Sequence, residues 1–142
     1  MAEGSVSGKV VFELVAPERL LASEEVDMVV APGADGDFGV LPEHSPLMST
    51  LRPGVIEIYE GDRVAQRIFV GGGFAEVNER GCTVLAEEAM PVGEIDVAAA
   101  EKRIKLAKDD LSSAEDDVAK AKLERDIGIA EAMIEAAGTS TH

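Results

Sequence analysis

A single cysteine, Cys82, excludes an internal disulfide and suits a reducing compartment. It stands in the strand-like run Cys82-Thr83-Val84-Leu85-Ala86, where a lone thiol is ordinarily buried and inert rather than nucleophilic. Positive charge is scarce as well: 13 bases face 28 acids for a formal charge of -15. No general basic surface can therefore meet nucleic-acid phosphates or anionic lipid, and a partner must be basic or be met locally. No apolar run nears the ~20 residues of a membrane span, and Met1 to Lys9 lacks the basic-then-apolar order of a signal peptide. The expectation is a soluble, cytoplasmic chain that reaches a membrane only through other subunits.

Catalytic constellations are missing too. His44 lies between Glu43 and Ser45, but residues adjacent in sequence cannot form a base-to-nucleophile relay. The other histidine, His142, is terminal, and two distant histidines with one cysteine make no metal cluster. Asp35-Gly36-Asp37 opens like a calcium loop without the later ligands, and Asp37-Phe38-Gly39 matches a kinase tripeptide without its catalytic loop or strand lysine. Gly71-Gly72-Gly73 lacks the spacing of a phosphate-binding loop and reads instead as a place where a strand bends or two backbones approach. Neither an active site nor a cofactor is expected.

What is present divides near residue 90. Val10 to Ala16, a short run at Leu20 to Ala22, and Val26 to Ala31 read as strands ended by Pro17 and Pro32. Residues 32–54 hold glycines at 33, 36 and 39 and prolines at 42, 46 and 53, which exclude helix. Val40, Leu41, Leu47, Met48 and Leu51 are expected to keep this corner against a core. Val55 to Tyr59 and Arg63 to Val70 form one hairpin about Glu60-Gly61-Asp62, and Phe74 to Val77 with Cys82 to Ala86 form a second about Asn78 to Gly81. Strands at intervals of about ten residues point to an antiparallel sandwich or barrel.

Beyond Met90-Pro91-Val92-Gly93 the period changes. Asp96 is a fitting N-cap, and Val97, Ala100, Ile104, Ala107 and Leu111 fall on one helical face, thin and largely alanine. Ser112-Ser113 is expected to cap a second helix from about Ala114 to Ala137, closed by Gly138. The fold class is thus α+β, with a β-sandwich over 1–90 and an antiparallel helical hairpin over 96–138. On the second helix, Leu123, Ile127, Ala130 and Ile134 form one apolar stripe, and Val118, Ile129, Ala132 and Met133 lie broadly opposite. One partner helix covers only one stripe, and Gly128 weakens the helix by about 1 kcal/mol relative to alanine. On the first helix, Lys102, Arg103, Lys105 and Lys108 form a local basic patch, either a solvated face or a docking face for an acidic element.

Several ordered motifs carry a resemblance. Asp37-Phe38-Gly39-Val40-Leu41-Pro42-Glu43-His44-Ser45-Pro46-Leu47, Leu51-Arg52-Pro53-Gly54-Val55, Val70-Gly71-Gly72-Gly73-Phe74-Ala75-Glu76-Val77 and Val84-Leu85-Ala86-Glu87-Glu88-Ala89 together resemble the epsilon-subunit family of bacterial F-type ATP synthases. The likeness spans nearly the whole chain. It implies about ten strands in the sandwich and a noncatalytic central-stalk role, with the gamma subunit and the c-ring as partners. It further implies helices able to extend toward the catalytic alpha and beta subunits and restrain ATP hydrolysis, at the cytoplasmic face of the bacterial inner membrane. The family's ring-contacting acidic position falls on Asp37, for which a turn-capping carboxylate is the alternative. The basic patch Lys102, Arg103, Lys105 and Lys108 would suit an acidic beta-subunit segment. Some members bind ATP through an Ile-Asp-x-x-Arg-Ala motif, here Ile95-Asp96-Val97-Ala98-Ala99-Ala100. Ala99 replaces the arginine and removes the phosphate's fixed cation, so weak or no ATP binding is expected. A free adaptor or ligand-binding β module is the competing reading.

Overall fold

The computed structural model describes residues 8–139; residues 1–7, which include most of the stretch tested for a signal peptide, and 140–142, with His142, lie outside the described part. Contacts divide the chain into two compact units that meet in sequence at Pro91 and Val92.

The first unit contains β1 (Val10–Ala16), β2 (Arg19–Val26), β3 (Met28–Gly33), β4 (Gly36–Val40), β5 (Leu47–Glu60), β6 (Arg63–Val77), β7 (Gly81–Ala86) and β8 (Ala89–Pro91). Strand periodicity sets the core: Val10, Phe12 and Leu14 of β1 point inward while Glu13 between them is exposed. They pack with Val26, Val29, Val40, Ile56, Ile58, Val70 and Val84, and each such fully buried side chain contributes roughly 1.5–3 kcal/mol. The sheet order is β2-β1-β7-β6-β5-β3-β4, with β8 on β6, and β1 approaches β3 and β2 approaches β5 across the core.

Pairing is antiparallel except between β1 and β7, which run parallel in the register Val11–Gly81 to Val15–Leu85. This corrects the all-antiparallel expectation. Hydrophobic alternation reports which face a residue occupies but not strand direction, and no hairpin links these two distant strands to fix it. Among the described residues the strands number eight, because the expected breaks at Pro53-Gly54 and Gly71 to Gly73 lie inside β5 and β6, which pair from Leu47–Val77 to Glu60–Arg63. Counted as half-strands, these two bring the total to ten. The first half of β6 pairs with β8 and the second with β7. The partner changes at the glycines, where a Cβ on Gly73 would lie 2.3 Å from the Leu85 carbonyl oxygen.

Two other expectations shift. The short run at Leu20 is part of an eight-residue strand that takes in Val26, leaving Asp27 to turn the chain into β3. In the 32–54 corner Val40 and Leu51 are buried, but Leu41 and Met48 are 56% and 63% exposed.

The second unit opens with a single 3-10 turn at Val92–Glu94, followed by α1 (Val97–Ser113) and α2 (Asp117–Thr139). Asp96 caps α1 as its residue type foretells, its carboxylate accepting from Ala99 N at 3.1 Å. Ser112 and Ser113 do not cap α2: their hydroxyls donate back to the carbonyls of Asp109 and Asp110 and finish α1. Asp116 performs that role, accepting from Ala119 N at 2.7 Å. Both serines are still helical residues of α1, which runs through Ser113, and with α2 beginning at Asp117 the cap position falls on Asp116. At its other end α2 runs through Gly138 to Thr139. Burial cuts across the two expected stripes and follows position along the helix: Ala130 of one, Ile129 and Met133 of the other, and Ala136 are buried, whereas Val118 near the start is 81% exposed. α2 packs on α1 and meets the Val92–Glu94 turn.

Candidate functional site

The candidate contact residues lie on two surfaces, one on each unit. On the β unit, Asp37 lies in edge strand β4 rather than in a turn, so it is not a turn cap. Its Oδ1 accepts from Arg52 Nη2 at 2.6 Å, and Arg52 Nη1 donates to the Gly33 carbonyl at 2.5 Å. The guanidinium thus ties β4 to β5, while Asp37 stays 61% exposed and able to meet a further donor. Nearby the chain turns through Glu43, whose φ of 63° is in the left-handed region. His44 Nδ1 lies 2.5 Å from the Ser45 carbonyl oxygen, an arrangement that needs the proton on Nδ1. The imidazole is occupied locally and does not form a relay with the neighbouring carboxylate and hydroxyl.

A feature missed from the sequence lies on the outward side of the same sheet. Register places Val15 beside Leu85, Leu85 beside Phe74 and Phe74 beside Thr50, with Met48 one pleat further along β5. Leu85 and Met48 are 54% and 63% exposed. The signal was available in the alternation itself: Leu14, Val84 and Ala75 turn inward, so their apolar neighbours Val15, Leu85 and Phe74 must face out. Val15, Leu85 and Phe74 thus make a contiguous apolar row over three strands that ends on Thr50, with Met48 in the next row opposite Glu76.

On the hairpin, Lys102, Lys105 and Lys108 are exposed on α1 together with Leu106. Recurring at every third residue, they drift around the helix by about 60° per step and form a slanting stripe. Arg103 does not belong to that stripe as an uncommitted cation. Its Nε donates to Asp126 Oδ1 of α2 at 2.9 Å, and Nη2 reaches the same oxygen. Beside this pair runs a groove of about 350 Å³, lined by Ala99, Leu106 and Leu123 among others. Ala99, where the ATP motif would have arginine, offers it only a methyl group.

Lys9, Asp27 and Cys82 have displaced pKa values for structural reasons. Asp27 is held below its ordinary value by the Lys9 ammonium, which donates to it at 2.7 Å, and next by the Gly61 N–H at 2.6 Å. Lys9 is raised chiefly by the same bond. Burial pushes the Cys82 thiol up to about 12. Among the described residues, no group of three or more His, Cys, Asp or Glu side chains converges to hold a metal. No helix among them is long and apolar enough to cross a membrane.

A β-sandwich unit followed in sequence by a helical-hairpin unit defines the class of fold. Residues 9–92 match the family model described as the ATP synthase delta/epsilon chain β-sandwich domain. The chain is 56% identical over 125 residues to the ATP synthase epsilon chain of Paramagnetospirillum magneticum, covering 88% of this chain and 94% of that one. It is 54% identical to the epsilon chain of Rhodospirillum rubrum, covering 88% and 93%. The fold also matches a chain in the mitochondrial ATP synthase of Euglena gracilis (OSCP/F1/c-ring), with a TM-score of 0.73 and 24% identity over 95% of this chain and 82% of that one. A chain of the central stalk and c-ring of the Tetrahymena thermophila mitochondrial enzyme matches with a TM-score of 0.65 and 15% identity, over 89% and 94%. The chain belongs to the ATP synthase epsilon-chain family, whose members are noncatalytic subunits of that complex.

Proposed function

We propose that the chain is a rotor subunit of the central stalk, joining the gamma subunit to the c-ring and restraining ATP hydrolysis through its hairpin. The observation that carries this reading is the apolar row Val15, Leu85 and Phe74 on the outer face of the β unit, with exposed Met48 nearby. Covering it by a stalk partner removes an exposed apolar surface from water. Asp37, exposed at the edge strand, is the point of contact with the ring. Lys102, Lys105 and Lys108 face an acidic segment of a catalytic subunit, which local complementarity makes attractive despite the overall negative charge. The working location is peripheral, on the cytoplasmic face of the bacterial inner membrane, with attachment through the complex.

The test is co-purification with the membrane-bound ATPase after mild detergent extraction. The native chain is expected to travel with the complex, and the Leu85→Glu variant, altered at an exposed position, to fold normally but be lost from it. A native chain that elutes apart from the complex would make it a free adaptor instead.

A further inference from the structure

The Arg103–Asp126 pair lies at a boundary in the hairpin. From Asp117 to Gly128, α2 contributes no buried residue, whereas Ile129, Ala130, Met133 and Ala136 beyond it are all buried. On α1 the buried positions are only Ala100 and Ala107. Beside the pair, where larger side chains would close a helix seam, Leu106 is 54% exposed and Leu123 is half-buried along the groove. Between the pair and the connection only Ala107 is buried, with Ile104, Leu111, Ala119 and Leu123 partly so, and apolar packing there is thinner than beyond Gly128. A guanidinium of one helix holding a carboxylate of the other spans that under-packed level.

We propose that Arg103 and Asp126 form a charge latch that sets how often the hairpin is closed. The two side chains are 29% and 38% exposed, so water and salt compete with the bond. Its contribution is that of a partly exposed pair, small enough for the helices to separate reversibly and large enough to bias the populations. The latch belongs to the chain itself and stands whether or not the hairpin restrains hydrolysis.

The experiment measures the distance between spin labels on cysteines introduced by Glu101→Cys and Glu131→Cys, both exposed positions toward the far ends of the two arms. The native Cys82 is buried and remains in place. The full-length chain is expected to show one short distance, with a longer-distance population that grows with salt. Arg103→Ala and Asp126→Ala should each enlarge the longer-distance fraction by about three-fold and abolish the salt response. The charge-swapped Arg103→Asp, Asp126→Arg chain should return the short distance, and circular dichroism should show helicity retained. If a single variant loses helicity, the swapped chain decides: recovery of the short distance supports the latch, and failure to recover it overturns it. Identical distance distributions in native and both alanine variants would overturn it as well.

Discussion

At the scale of single residues, the most informative groups are those whose surroundings leave little choice. Asp27 is more acidic folded than unfolded because the Lys9 ammonium and the Gly61 N–H bind its charged form. As pH falls, the unfolded carboxylate takes up its proton first, so the stability from this clasp is complete above the ordinary value of 3.8 and is lost below it as the folded pKa is passed. Asp27→Asn should therefore lower the urea midpoint near neutrality, and the gap to the native chain should narrow at about pH 3. An equal gap at both values would show that the clasp is not electrostatic. Gly81 is constrained by space: a Cβ there would fall 1.9 Å from the Val11 carbonyl oxygen, where β7 runs beside β1. Gly81→Ala is expected to destabilise the β unit by about 2 kcal/mol or more in equilibrium denaturation. The sequence marked Gly81 only as part of a turn, because the strand that crowds it is nearly seventy positions earlier and nothing local refers to it.

At the scale of elements, legibility follows the range of the interactions responsible. Asp96 could be identified as a cap from its residue type because an N-cap satisfies donors two or three residues away. Ser112, Ser113 and Asp116 are all acceptable cap residues for the second helix, and only where the first helix ends, at Ser113, decides for Asp116. The basic patch was legible as composition but not as a surface, since Arg103 turns to Asp126, a partner twenty-three positions away. Likewise Met48 and Leu41 looked like core residues in a run dense with apolar types, and their exposure depends on which face of β5 and which side of the corner they occupy. Gly128 gives a test at this scale: a Cβ there meets nothing within 4 Å, so only the glycine's helix penalty is at issue. Gly128→Ala should stabilise the hairpin by about 1 kcal/mol, read as reduced helix loss on heating. A destabilised hairpin would mean that the glycine serves a contact rather than merely weakening the helix.

For the whole molecule, the division of labour follows from how each unit is held together. The β unit has a continuous aliphatic core and strands that bend between partners, which suits a part that transmits torque without deforming. The hairpin has an alanine-rich seam with a mid-length glycine and a partly exposed ion pair, which suits a part whose conformation responds to what it touches. A hairpin with two conformations would restrain hydrolysis only where the catalytic sector binds one of them more strongly than the other. The most direct measurement is ATP hydrolysis by the assembled complex carrying either the full chain or a chain lacking residues 96–142. The truncated chain is expected to assemble and to leave hydrolysis faster than the full chain does, whereas unchanged hydrolysis in an intact complex would contradict the restraining role.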